Sequence, residues 1–172
     1  MKTDVFQAVR TVLAVRRYTS KAVPADVVDR IVEAGRLAGS SINLQPWHFV
    51  VVEGRATLRQ IGAIIRSGRY TAEAALAIVV VVERDSTFAV SDASRAIQNM
   101  ILVAWSDGVG SNWVGFGPMP KVETLLGVPK THDALAVVTL GYPALKLGRG
   151  RKRRKPLSQV ASRERFGTPF AS

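Results

Sequence analysis

Within AGSSINLQPWHFVVVEG (Ala38–Gly54), Ser40, Ser41, Asn43 and Gln45 crowd small hydrogen-bonding groups against a run, HFVVV, whose composition demands burial. Small polar side chains and free backbone amides at the mouth of a core strand can converge on a ligand. The same residue types also form ordinary helix-to-strand turns. None of them is an activated acid, base or nucleophile, so the chemistry on offer is binding and orientation.

A second candidate is KLGRGRKRRK (Lys146–Lys155), which holds seven of the 24 basic residues and no acid. The chain carries +11 overall, so the remainder is only 17 − 13 = +4 and the excess is local. Lysine and arginine supply charge-assisted donors to a phosphate, and an arginine fork supplies two at once. A polyanion patch or a solvated tail is the blander reading. Aromatic residues interleaved for base stacking are absent from this run, which argues against nucleic acid.

Other residues offer less. Without cysteine there is no disulfide framework and no thiolate metal site, and His48 and His132 lack ligand-like spacing, so no metal is expected. Asp85 and Asp92 have no second carboxylate placed for paired acid and base work and read as surface or capping residues. His48, between Trp47 and Phe49, reads as a satisfied, half-buried histidine. Met100 and Trp105 read as core or dimer-interface packing. GVGSNWVGFG follows a helix and lacks the G-x-G-x-x-G order, so it is no dinucleotide loop.

The elements that must position these residues follow from periodicity. Phe6, Val9 and Leu13 predict an amphipathic helix over Asp4–Val15. Pro24 opens a second helix that carries Val27, Val28, Ile31 and Val32 on one face and stops near Gly39. Trp47–Val52 reads as a strand, Ala56–Ile65 as a helix and Leu76–Val82 as a strand covered on both faces. A largely apolar helix spans Ser91–Asp107, with Ser91 as its cap and Gly108 past its end. GVGSNWVGFG reads as a loop, Lys121–Leu126 as a short helix stopped by Gly127, and Ala134–Leu140 as a third strand. From Gly141 onward the chain reads as irregular. Helices alternating with few strands give an α+β or α/β fold around a central sheet.

The size, 172 residues with 47% hydrophobic content and mean hydropathy +0.12, allows one domain with a real core. Met1–Arg10 is polar and mixed, so no signal peptide is expected, and the longest apolar stretch, Ala74–Val82, is far short of a membrane span. A soluble, cytoplasmic protein is the expectation.

AGSSINLQPW before a valine-rich strand resembles the Ala-Pro-Ser-x-x-Asn-x-Gln-Pro-Trp pattern of the nitroreductase family of FMN-dependent oxidoreductases. VRRYTSKAVP, AIQNMILVAWSDGVGSNWVG, LGYP and RKPLSQV extend the resemblance in the family's order. It implies an α+β fold with a central, mostly antiparallel sheet flanked by helices. It also implies an intertwined homodimer, with FMN at the interface and in contact with both subunits. Carried over by position, Arg16 lies near the flavin. Ser40, Ser41 and Asn43 form the loop against the isoalloxazine ring, and Gln45 stands beside it at the strand entrance. Gly115 lies in the stretch whose backbone amide reaches the hydride-accepting ring nitrogen, and Lys152 and Arg154 grip the phosphate.

The implied activity is hydride transfer from NADH or NADPH through FMN to a small aromatic acceptor, a nitroaromatic or a quinone. Residues 1–145 would form the flavin-binding domain, and 146–172 a basic extension that docks on the partner subunit and completes the phosphate site. The chain departs from the family at Val12, Leu13 and Ala14, where an arginine and a hydroxyl usually serve the phosphate. Each lost donor would cost on the order of 1.5–3 kcal/mol, with Arg17 or the tail arginines expected to compensate. Gly39 replaces the usual proline, which should loosen the loop. Different flavin or deazaflavin chemistry on the same fold, or polyanion binding by the tail, are the alternative readings.

Overall fold

The apolar run LAIVVVV lies at the middle of a sheet, because it has no polar face to turn to water. In the computed structural model, which describes residues 4–147 and 152–170, β2 (Leu76–Glu83) is buried at every position but its last. Residues 148–151 of the basic run and 171–172 of the extension lie outside the described residues. β1 (Trp47–Val52) and β4 (His132–Gly141) flank β2, and β3 (Gly110–Val114) pairs with the far edge of β4, all antiparallel, in the order β1-β2-β4-β3.

Alternation along β2 divides the core in two. Leu76, Ile78, Val80 and Val82 face the layer of α2 (Ala25–Arg36) and α4 (Ala89–Ser106). Ala77, Val79 and Val81 face α3 (Arg55–Ile64) and α5 (Pro120–Leu126). A register irregularity at Val80/Val81 adjusts the pairing to β4. The expected α+β architecture, with a mostly antiparallel sheet flanked by helices, is the one observed.

Three local expectations are corrected. The first helix, α1 (Val5–Thr11), ends four residues early. Its continuation is extended because Val15 N–H donates to Ser111 O at 2.8 Å and Ala14 bridges to Ser111 in parallel. Phe6 and Val9 consequently stay exposed. The segment 110–114, expected as a loop, is β3; its small residues conceal the strand signal, and Gly110 is required there because a Cβ would lie 2.4 Å from Val15 Cγ2. Helix α4 begins at Ala89 after Phe88 with no side-chain cap, so Ser91 is inside it. Gly127 does stop α5, at φ 66°.

Candidate functional site

Pairing of residues 14–15 with β3 lays the chain after α1 along the sheet edge and leaves a hollow between them. The end of α1 (Val9, Arg10), Val12–Ala14, Ser111–Trp113 of β3, Gln98 and Ile101 of α4, and Lys152 and Arg154 of the tail enclose a cavity of about 1030 Å³. Asn112, one of the lining residues, belongs to a buried polar network. The Tyr18 hydroxyl donates to Val15 O at 2.6 Å and meets Thr139 Oγ1 at 2.6 Å. Thr139 Oγ1 reaches Asn112 O at 3.3 Å, and Asn112 Nδ2 donates to Trp113 O at 2.9 Å and to the Tyr70 hydroxyl. Burial pushes the Tyr18 phenol well above the ordinary tyrosine range, so it carries no charge at physiological pH.

The cavity's charge is one-sided. Lys152 Nζ donates to Val9 O at 2.5 Å, which fastens the tail to the end of α1. Burial, and then the neighbouring Arg154, hold the Lys152 ammonium below the ordinary lysine range. Among the described residues, Arg30, Arg36, Arg84 and Arg95 each pair with a carboxylate, whereas none of the cavity's cations does. Uncompensated cations over an apolar wall of Val12, Leu13, Ile101 and Trp113 match a ligand that is partly flat and apolar and carries an anionic group. FMN has that chemistry, and the residues present fit it: Lys152 and Arg154 offer cationic donors that would suit its phosphate, and Ser111, Asn112 and Gln98 offer polar edges.

Ser40–Gln45 stand outside this cavity. Ser40 Oγ accepts Gln45 N–H at 3.0 Å, Gln45 Nε2 donates to Asn43 O at 3.3 Å, and Ser41 N–H donates to Asp92 Oδ2 at 2.9 Å. Ile42, Asn43 and Gln45 all have positive φ (43°, 61° and 53°), a conformation that costs energy for side chains with a Cβ and clusters at functional loops. Arg95 bonds both Asp92 (2.7 Å) and Gly39 O (3.2 Å), restraining the loop that Gly39 was expected to loosen.

Asp92 is therefore corrected from a surface or capping residue to a fully buried carboxylate that anchors this loop. His48 is exposed rather than half-buried. Arg16 and Arg17 are exposed and outside the cavity lining, so of the expected contacts the cavity holds Lys152 and Arg154 alone. Gly115, at φ 77°, follows β3 directly, where a Cβ would meet Met119 Sδ at 2.9 Å. Sequence reasoning missed Arg10, Gln98, Ser111 and Asn112. Polar residues within a segment flanked by apolar ones were the available signal for the last two.

The nitroreductase family model matches residues 10–82 and 70–142. A protein of Methanothermobacter thermautotrophicus is 34% identical over 151 residues, 83% of this chain and 79% of its own length. A crystal structure from Bacteroides thetaiotaomicron superposes with a TM-score of 0.89 at 28% identity, covering 96% of this chain and 100% of the other. Both bear the name "Putative NADH dehydrogenase/NAD(P)H nitroreductase". The FMN-dependent nitroreductase of Clostridium difficile R20291 shares the fold with a TM-score of 0.86 at 22% identity, over 94% of this chain and 99% of its own. The chain belongs to the nitroreductase family.

Proposed function

We propose that this chain is an FMN-dependent oxidoreductase that transfers reducing equivalents from NADH or NADPH to a small acceptor such as a nitroaromatic or a quinone. The observation that carries the reading is the cavity itself, a polar-edged apolar hollow ending in Lys152 and Arg154, which have no carboxylate partner among the described residues, in a chain of this family. When bound, FMN supplies the hydride-accepting and hydride-donating centre; the protein's part is to bind, orient and exclude water. Lys152 and Arg154 would hold the phosphate, Ser111 and Asn112 border the hollow, and the Gly115 amide, just past β3, would serve the ring edge. No acid, base or nucleophile of the chain is assigned a proton-transfer step.

The 40–45 loop and the cavity lie apart in one chain, and a second copy can bring them together. The reading therefore includes a homodimer in which each loop, with Ser40, Ser41, Asn43 and Gln45, closes the partner's cavity. Exposed apolar side chains at Phe6 (67%), Leu37 (65%), Phe116 (72%) and Phe166 (104%) support it, since a lone chain gains nothing from presenting them. Residues 146–172 are then an extension that reaches the partner through Phe166 and Phe170, with Arg16 near the ring. Among the described residues no helix is long and apolar enough to cross a membrane, and a cytoplasmic location is part of the proposal.

The test is the visible spectrum of purified protein before and after anaerobic NADH or NADPH. A yellow flavin band that bleaches with one nucleotide supports the reading and selects the donor. Colourless protein that takes up no added FMN sinks it. That outcome would favour the second reading, a nitroreductase fold adapted to another cofactor, for which apolar Val12, Leu13 and Ala14 beside the cations are the motivating observation.

A further inference from the structure

The cavity contains a third cation that neither the motif nor the tail explains. Arg10 closes the last turn of α1 and lines the cavity with Lys152 and Arg154. Gln7 Oε1 accepts from Arg10 Nε at 3.1 Å and Nη2 at 2.7 Å, which fixes the guanidinium on the helix surface and leaves the remaining N–H donors of its fork unused by that pair. The residue just before it, Val9, receives Lys152 Nζ on its carbonyl at 2.5 Å, so one backbone unit joins the tail cations to Arg10. Residues 12–14, which follow after Thr11, contribute only apolar side chains to the same hollow.

We infer that Arg10 is a phosphate-binding residue of this chain, supplying from α1 the charged donor that Val12, Leu13 and Ala14 cannot, and so making the site select FMN over riboflavin. The inference rests on the flavin reading above, and it moves the compensating cation from Arg17 and the surplus tail arginines to Arg10. Three considerations favour it. Arg10 has no carboxylate partner among the described residues, whereas Arg30, Arg36, Arg84 and Arg95 do. A guanidinium offers a bidentate face that suits phosphate oxygens better than an ammonium does. Lys152 already spends one of its three donors on Val9 O, so a further cation adds donors that the ammonium no longer has to give. The competing role, a basic residue that merely complements the end of a helix dipole, predicts an effect on stability and none on the choice between flavins.

The experiment measures dissociation constants of the full chain for FMN and riboflavin, by quenching of flavin fluorescence, in wild type, Arg10→Gln and Arg10→Lys. Loss of one charge-assisted contact should weaken FMN about tenfold in Arg10→Gln. Riboflavin affinity should stay level, Arg10→Lys should fall between, and the preference for FMN in wild type should shrink with added salt. Riboflavin binding also certifies that the variant is folded. An Arg10→Gln protein that keeps the wild-type ratio of the two affinities, or that loses both flavins equally, overturns the inference and leaves the flavin reading standing. A wild-type chain that binds riboflavin as tightly as FMN overturns it too. A wild type that binds neither flavin overturns the flavin reading, and the inference with it.

Discussion

The carboxylate of Asp92 in α4 accepts the backbone N–H of Ser41 at 2.9 Å, tying a helix to a loop 51 residues earlier in the chain. Asp92 is fully buried, and its charge is balanced by Arg95 at 2.7 Å. Asp92→Ala would strand the Ser41 N–H and take the carboxylate from Arg95, and should destabilise the protein by about 1–3 kcal/mol. Asp92→Asn keeps an acceptor for Ser41 and should lose less. Urea denaturation measures both, and equal stability of wild type and Asp92→Ala would show that the loop holds its shape without the anchor.

Gly110 sets the distance between β3 and the segment that floors the cavity. A methyl group there meets Val15 Cγ2 at 2.4 Å and Val15 Cβ at 2.7 Å, and Val15 is buried with no room to retreat. Gly110→Ala should cost about 1–3 kcal/mol, which for a chain of this length lowers Tm by about 2–4 °C per kcal/mol. Flavin affinity should fall as well, because Val12–Ala14 are displaced. A thermal melt identical to wild type would contradict the close approach.

Strong periodicity and one-sided chemistry made much of this legible in advance. β1 was read with its observed bounds, and β2, α4 and β4 to within two residues at each end, because valine runs and a long apolar helix admit few alternatives. β3 was hidden because Gly110, Ser111 and Asn112 carry no strand signal of their own; they pair because β4 offers an edge. The α1 boundary failed because Val12–Val15 satisfies a helical period equally well, and only Ser111 decides otherwise. At the site, a local charge excess marks the basic run, and the family resemblance alone singles out Lys152 and Arg154 within it. The burial of Asp92 and the placement of Arg10 depend on contacts remote in sequence, which no spacing reveals.

Burial raises the Tyr18 phenol above its unfolded value, so the folded state holds this proton more tightly than the unfolded state does. The stability this contributes is complete below about pH 10, the ordinary tyrosine value, and is lost as pH rises beyond it. Tyr18→Phe removes the contacts to Val15 O and Thr139 and should cost about 1–2 kcal/mol at neutral pH. Denaturation midpoints taken from neutral pH to beyond pH ~10 should show the gap between wild type and variant closing. A constant gap would mean that the hydroxyl is not protected as its contacts imply.

Lys152 is shifted the other way: burial first, then Arg154, lower its pKa, so it surrenders its charge at a lower pH than a free lysine. FMN affinity should therefore decline as pH climbs toward the ordinary lysine value of about 10.4. Riboflavin, which shares the ring titration but has no phosphate, serves as the reference. Lys152→Arg should flatten the FMN-to-riboflavin ratio across that range. A ratio in wild type that does not respond to alkaline pH would remove Lys152 from the phosphate contacts.

Ile42 combines two costs without a visible return inside the chain. It is β-branched at φ 43°, and it is 84% exposed. The left-handed conformation costs an L-residue about 1–2 kcal/mol. Ile42→Gly relieves that strain while adding unfolded-state freedom worth about 0.5–1 kcal/mol, so the isolated chain should gain up to about 1.5 kcal/mol. If the loop closes a partner's cavity, the exposed side chain is where that investment is recovered. Ile42→Gly should then bind flavin more weakly and dissociate to monomer at higher protein concentration than wild type, even as its intrinsic stability rises. Sedimentation measured beside a denaturation series separates the two effects. A variant more stable than wild type with unchanged assembly and flavin affinity would leave the strain real but unused, and would count against the loop as an interface element.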